Sequence, residues 1–334
     1  MIFWVTRACN FSCAHCFNHL WNGNSQDDLS VAEIEKISNN MGHVKYLTLA
    51  GGEPLLRDDL DLIAEIFYTH NDLQMLNLVT NGWLTDRAET VVTGVLDRCP
   101  GLHLSVGVSV DGPEEIHDHF RSKPGSYRRA IQTLERLKKN RHYGRRLTVA
   151  ACGTYHAGNA VYLLDLARFF QNEMGLPYYA GLIRGQQVPD MKLKAVDPDH
   201  YKKLCDDIGF SVNTELAPQY PFRHLRIAVD RIVTEIIYKS LKHNRKTVTC
   251  QAGKKGFVLT AGGDILLCEV LNTVLGNVRE FGYSPYAVLD RSESVKAIEK
   301  IRENGCHCTW ECFQRLNVVF SPGMLPRVLM RMLR

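Results

Sequence analysis

Residues 2–16 read Ile2-Phe3-Trp4-Val5-Thr6-Arg7-Ala8-Cys9-Asn10-Phe11-Ser12-Cys13-Ala14-His15-Cys16: a β-rich run, a short connection, and three cysteines spaced C-x3-C-x2-C. Two cysteines on one loop would read as zinc ligands or a redox dithiol. Three with no fourth close by fit a [4Fe–4S] cubane, whose usual ligands are cysteine thiolates. Three thiolates leave one iron open to a non-protein ligand, and an open iron is a place for chemistry. A Cys3His zinc site is the competing reading, because His15 and His19 lie near the triplet.

The pattern of a β-like run followed by a polar or glycine-rich motif recurs along the chain. Tyr46-Leu47-Thr48-Leu49 leads into Ala50-Gly51-Gly52-Glu53-Pro54. The next run leads into Thr80-Asn81-Gly82, and the fourth into Ser109-Val110-Asp111-Gly112-Pro113, trailed by Ile116-His117-Asp118 and Arg121. This set resembles the radical S-adenosylmethionine (radical SAM) superfamily. The resemblance is close over residues 2–185 and looser over 250–312.

The resemblance implies a [4Fe–4S] cluster on Cys9, Cys13 and Cys16, with S-adenosylmethionine chelating the open iron. One electron, from a donor such as flavodoxin or ferredoxin, then yields a 5′-deoxyadenosyl radical that abstracts hydrogen from a C–H bond. It also implies roles for other residues. His15 stands where the family usually puts an aromatic residue against adenine, though a loop histidine is an equal reading. Gly51 and Gly52 let backbone approach the methionine amine. Glu53 accepts from that amine or caps the following helix. Asn81 and Ser109 are suited to ribose or carboxylate, or to turn formation. Arg121 suits SAM's carboxylate by its fork geometry, with a solvated surface arginine as the alternative. Arg184, after the last strand, is expected to contact substrate or SAM.

Strand-like runs lie near 2–6, 45–49, 74–79, 103–110, 146–153 and 178–183. Helical periodicity lies between them, at 58–69, 84–98, 127–140 and 157–174, and Ser30 with Glu33 forms a capping box ahead of the first helix. Six βα units in a row predict an α/β fold with a parallel sheet; the resemblance makes it a partial (β/α)6 radical SAM barrel over residues 1–210. Residues 211–249 read as a helical bridge, with Phe222, Leu225, Ala228, Val229, Ile232, Ile236 and Ile237 on one face. Residues 250–320 read as a small C-terminal β-hairpin/helix Fe–S domain. Its two apolar strands flank Gly262-Gly263-Asp264, and a helix follows at 292–303.

Cys250, Cys268, Cys306, Cys308 and Cys312 in this segment resemble the SPASM/twitch extensions that carry auxiliary Fe–S clusters. Five cysteines, against seven in the full SPASM pattern, imply one auxiliary [4Fe–4S] cluster with a spare thiol; a zinc site is the alternative. The spacing leaves open which of Cys306, Cys308 and Cys312 are ligands. Cys99, Cys152 and Cys205 are expected as buried, unliganded thiols. Residues 321–334 predict a basic amphipathic helix with Arg327, Arg331 and Arg334 on one face. It is expected either to pack on its own barrel or to make weak contact with an anionic membrane interface.

The chain has 334 residues, 45% hydrophobic, and a net charge of +4, too small to argue for nucleic acid. No run reaches membrane-spanning length. Eleven cysteines without a secretory signal point to a cytoplasmic, reducing setting and metal ligation. A peptide-binding N-terminal domain is not read in the sequence, since strand one begins at residue 2. The expected function is therefore a radical SAM oxidoreductase acting on a small-molecule, sugar or lipid-linked substrate. The alternatives are a peptide-modifying maturase and a non-catalytic Fe–S or zinc protein.

Overall fold

A computed structural model describes residues 1–209, 222–304 and 306–333. The expected barrel end at residue 210, the start of the bridge at 211 and Arg334 lie outside the described residues. Six strands, β1 (Ile2–Thr6), β2 (Tyr46–Gly51), β3 (Met75–Thr80), β4 (His103–Ser109), β5 (Leu147–Tyr155) and β6 (Tyr178–Leu182), are each followed by helical structure. All five neighbouring pairs are parallel. Parallel neighbours need a crossover, and the helices supply it while covering the sheet's outer face. This is the α/β architecture with a parallel sheet expected from the sequence.

The strand order is β6-β5-β4-β3-β2-β1-β7-β8-β9, where β7 is Val258–Leu259, β8 Asp264–Leu266 and β9 Val274–Asn277. Because β7 pairs in parallel with β1, both edges of β1 are used and the sheet cannot close β6 onto it. The barrel therefore stays open, and the hairpin β7–β8 extends the same sheet.

Local chemistry sets the elements that carry the site. α1 (Val31–Asn39) starts at the expected capping box: Ser30 Oγ accepts from the Glu33 amide, and Glu33 accepts from the Ser30 amide. α2 (Leu60–Asn71) and α3 (Thr85–Arg98) follow β2 and β3. After β4 the chain forms two helices, α4 (Glu114–Arg121) and α5 (Ser126–Lys138), where the periodicity alone gave one. Asp118 makes the break: its carboxylate accepts from the amides of Gly125 and Tyr127 and from Ser126 Oγ, capping α5. The expected helix at 157–174 is a short α6 (Leu163–Arg168) continued by a π turn over Phe169–Glu173. That turn buries Phe170 flat against Tyr178, 5.6 Å between ring centroids.

α7 (Pro198–Ile208) and α8 (Arg223–His243) follow β6. The expected apolar face of α8 is buried at Ala228, Val229, Ile232, Ile236 and Ile237, but Phe222 precedes the helix and is exposed. The C-terminal segment adds α9 (Pro285–Leu289), α10 (Ser292–Asn304), α11 (Glu311–Val319) and α12 (Leu325–Met332). In α12 the basic face points inward. Arg327 and Arg331 both pair with Glu235 of α8, while Leu325, Leu329 and Met330 face outward. Among the described residues no helix is long and apolar enough to cross a membrane.

Candidate active site

One cavity of about 380 Å³ occupies the barrel interior. Cys9, Cys13 and Cys16 line it, with His15, Gly51, Gly52, Glu53, Asn81, Ser109, Arg121 and Arg184. Every residue singled out for the first cluster and for SAM thus borders one space. From the C-terminal segment, Cys312, Glu269, Trp310 and Arg315 border it too.

The cysteine loop leaves β1 and is pressed onto the turn after β2. Gly52 N–H donates to Thr6 O (2.9 Å) and Glu53 N–H to Ala8 O (2.8 Å). A Cβ on Gly52 would lie 2.1 Å from Ala8 O, and one on Gly51, at φ +131°, 2.6 Å from Thr6 O. The glycines are required first by the close passage of the protein's own cysteine loop.

Glu53 is buried and its carboxylate is occupied. Oε1 accepts from Thr80 Oγ1 (2.7 Å) and the Leu55 amide (3.1 Å), and Oε2 from the Asn81 amide (2.7 Å). Burial pushes its carboxyl upward in pKa against those hydrogen bonds. It ties the end of β3 to the turn after β2 and caps a 3-10 turn at Pro54–Leu56. Asn81 in turn donates to Asn10 Oδ1 (2.8 Å), fixing the loop between Cys9 and Cys13.

Arg121 is buried, not a solvated surface cation. Its Nε donates to Asp111 Oδ2 at 2.6 Å, and Asp111 Oδ1 accepts from the Thr154 amide at 2.7 Å. Burial works to raise the Asp111 carboxyl, but the Arg121 guanidinium and the nearby His15 and His117 outweigh it and hold it below the usual carboxylate range. Three buried imidazoles surround this pair. His15 stacks on His156 (5.3 Å, 25°), with Nε2 3.5 Å from Asp111. His117 Nδ1 accepts from the Asp111 amide. Desolvation lowers His15 to about 3 and His117 and His156 to about 4, so all three are neutral at pH 7. The sequence reading did not place His117 or His156 in this cluster; their position after strand ends was the available signal.

The three thiols sense one another electrostatically: Cys9 is influenced by Cys16, and Cys13 by both. Burial raises Cys9 to about 11 and Cys13 to about 12, and raises Cys16 as well. Such thiols are not poised as free nucleophilic thiolates; a metal that displaced their protons would make them ligands. The nearby histidines do not complete a Cys3His set. His15 turns toward His156 and Asp111, and His19 Nδ1 lies 2.9 Å from the Cys16 carbonyl, to which it can donate. Among the described residues no three His, Cys, Asp or Glu side chains converge on a single-ion site. The donor set, three thiols on one loop facing one cavity, fits a cubane with an open corner.

Arg184 sits between two rings, 3.6 Å over Trp310 and 4.4 Å over Phe17. It thereby links the residue after Cys16 to the segment after Cys308. Glu269 is buried; its Oε1 accepts from Trp4 Nε1 (2.9 Å), while Oε2 has no protein partner. Trp310 Nε1 is likewise buried without a partner. Both were missed from sequence, since each matters only through its tertiary position.

The C-terminal cysteines divide. Cys306 lies within electrostatic reach of Cys250, Cys268 and Cys308, and Cys268 within reach of Cys250 and Cys308. The neighbouring Cys308 thiol pulls Cys306 below the usual thiol range, while Cys308 itself is pushed up. Cys312 instead faces Arg315, Glu269 and Arg184 at the cavity. Cys99 and Cys205 are buried as expected, and Cys152, partly exposed, contributes to the cavity wall.

The Radical SAM superfamily model matches residues 5–151. The AdoMet-dependent heme synthase of Oleidesulfovibrio alaskensis is 31% identical over 295 residues, 84% of this chain and 72% of that protein. The AdoMet-dependent heme synthase of Methanosarcina barkeri is 26% identical over 321 residues, 91% of this chain and 84% of that one. Among solved structures, native anSMEcpe with bound AdoMet and Kp18Cys peptide superposes at a TM-score of 0.60. It is 15% identical, covers 99% of this chain and 98% of that one, and at that identity shows the shared fold alone. The superfamily model spans the cysteine loop from Cys9 to Cys16, and the first relative, 31% identical, aligns over 84% of this chain: the chain belongs to the radical SAM superfamily.

Proposed function

We propose that this radical SAM enzyme carries out a net oxidation of a small molecule, with one auxiliary [4Fe–4S] cluster in the C-terminal segment. The observation that carries the reading is the single cavity bordered both by the Cys9–Cys16 loop and by Glu269, Trp310 and Cys312. When bound, the first cluster and SAM supply a 5′-deoxyadenosyl radical that removes hydrogen from substrate carbon.

The chain's own residues do the rest. Cys9, Cys13 and Cys16 hold the first cluster, with Gly51, Gly52 and Glu53 fixing their loop. Arg121, held by Asp111, presents its remaining N–H groups for a carboxylate, and His15, Asn81 and Ser109 complete the SAM side. Cys250, Cys268, Cys306 and Cys308 hold the auxiliary cluster, leaving Cys312 as the spare thiol. Glu269 Oε2 and the Trp310 N–H are buried and unpaired, a costly state that a substrate donor and acceptor would relieve. Arg184, clamped by Phe17 and Trp310, closes the space between the two halves. The electron donor is a flavodoxin or ferredoxin.

A cavity of about 380 Å³ supports a small substrate, since ligand pockets run from roughly 300 to 1,000 Å³. A peptide substrate reaching in with one side chain is the second reading; the fold it shares with a peptide-bound enzyme favours it. Anaerobic reconstitution should give about eight irons per chain as two cubanes, and dithionite should release 5′-deoxyadenosine from SAM. Cys13→Ala should abolish that release. Stoichiometric zinc without iron under strict anaerobiosis would overturn the assignment, and four irons in the parent chain would remove the auxiliary cluster.

A further inference from the structure

The last helix is turned inside out relative to a solvated surface helix. Arg327 and Arg331 are tied to Glu235, and Val328 is buried beneath them. The opposite face offers Leu325, Leu329, Met330 and Leu333 to solvent, the last 89% exposed, and Phe320 lies just before it. Of the 18 large apolar side chains exposed among the described residues, seven fall within residues 319–333. Single exposed apolar residues are ordinary, but a concentration of this kind marks a contact surface.

The charge around it decides what kind. Lys255 Nζ stands 5.3 Å over the Phe320 ring, and Lys254 beside it is exposed. The sequence has no Asp or Glu between Glu235 and Asp264, and none after Glu311. Glu235 itself is consumed by the two arginines. The patch is thus apolar, with a cationic edge at Phe320, and the acidic side chain shown against α12 among the described residues, Glu235, is already paired.

We infer that this face, centred on Leu329 and Met330 and rimmed by Lys254 and Lys255, docks on an anionic lipid surface. Apolar side chains enter the headgroup boundary while lysines meet lipid phosphates and carboxylates. A second copy fits less well, because a two-fold contact would set a patch lacking acids against itself. With no membrane-crossing helix among the described residues, attachment is interfacial and reversible. This inference does not depend on the reaction proposed above.

The test uses the full chain with vesicles of phosphatidylcholine alone or with one-third phosphatidylserine. Sedimentation should require the anionic lipid and weaken at high salt. Leu329→Asp with Met330→Asp should abolish it. Lys254→Gln with Lys255→Gln should weaken it by about fivefold or more, one near-surface charge being worth about that factor. Both pairs are exposed, so folding should survive, which circular dichroism checks. Failure of the parent chain to bind anionic vesicles, or undiminished binding of the aspartate variant, would overturn the inference. So would a concentration-dependent dimer, without lipid, that the aspartate variant dissolves.

Discussion

Gly52→Ala tests whether the cysteine loop is held by the turn after β2. The new methyl would sit 2.1 Å from Ala8 O and 2.6 Å from the Ala8 carbonyl carbon. A carbon and a carbonyl oxygen ordinarily approach to about 3.3 Å at closest, so the loop must retreat by roughly 1.2 Å. That movement stretches the Gly52–Thr6 and Glu53–Ala8 hydrogen bonds, now 2.9 and 2.8 Å. Two such bonds are worth about 1–3 kcal/mol net, and more if the groups stay buried and unpaired. The larger effect should be on chemistry. A displacement near 1 Å at a reacting centre can cost about 100-fold, and Cys9 follows Ala8 directly. The assay pairs anaerobic iron counting with the initial rate of 5′-deoxyadenosine release. The expected outcome is loss of about four irons, or full iron with release slowed about 100-fold. Gly52→Ala protein with full iron and release within threefold of the parent would refute the argument that the glycine exists to admit the loop.

Other predictions follow from the same contacts. Asp111→Asn strands the buried Arg121 guanidinium and should cost about 3–5 kcal/mol, read by urea unfolding. Adding Arg121→Met should recover part of that loss, and strict additivity of the two would contradict a buried pair. Cys312→Ser should keep about eight irons, whereas Cys308→Ser should keep about four; the reverse outcome would make Cys312 the ligand. His117 and His156, fully buried and held near pKa 4 against an ordinary 6.5, give an acid sensitivity. Between those values the unfolded chain binds more protons, so their contribution is full above pH 6.5 and falls as pH drops toward 4. From pH 6.5 to 5 the loss is up to about 2 kcal/mol for each. Replacing both with Gln should flatten the stability curve of the parent over that interval, and an unchanged slope would show that neither group resists protonation.

Much of the barrel was legible because it is written locally. Each parallel strand is a short apolar run, and the motifs fall directly after the strand ends. The capping box at Ser30 and the glycine turn at Gly262-Gly263 are equally local. What stayed hidden depends on partners distant in sequence. Arg121 could be assigned to the SAM side but not to Asp111, because that contact needs α4 folded back onto the end of β4. Glu269 meets Trp4 across 265 residues, and Arg184 is clamped by Phe17 and Trp310 from opposite parts of the chain. The periodicity of the last helix revealed a basic stripe but not its direction. Glu235, 92 residues away from Arg327, turns that stripe inward and leaves the apolar side in water.

The sheet register bears on how two clusters would share one substrate. β1 runs from Ile2 to Thr6 and delivers Cys9 beyond its far end. Ile2 pairs with Val258, and Val258 with Leu266, so β8 arrives level with the start of β1 and Cys268 lies beyond it. The cysteines of the two proposed clusters therefore leave the sheet at opposite ends of nearby strands. Five residues of β1 span roughly 16 Å at 3.3 Å per residue. The cavity is bordered by residues from both ends of β1, Ile2 and Cys9, and Arg184, stacked on Trp310, stands over Phe17 beside Cys16. A substrate filling this cavity would meet both the Cys9–Cys16 loop and Glu269, the neighbour of Cys268, since both border the one space. On this geometry, shifting the hairpin relative to β1 should uncouple SAM cleavage from product formation while leaving each cluster assembled.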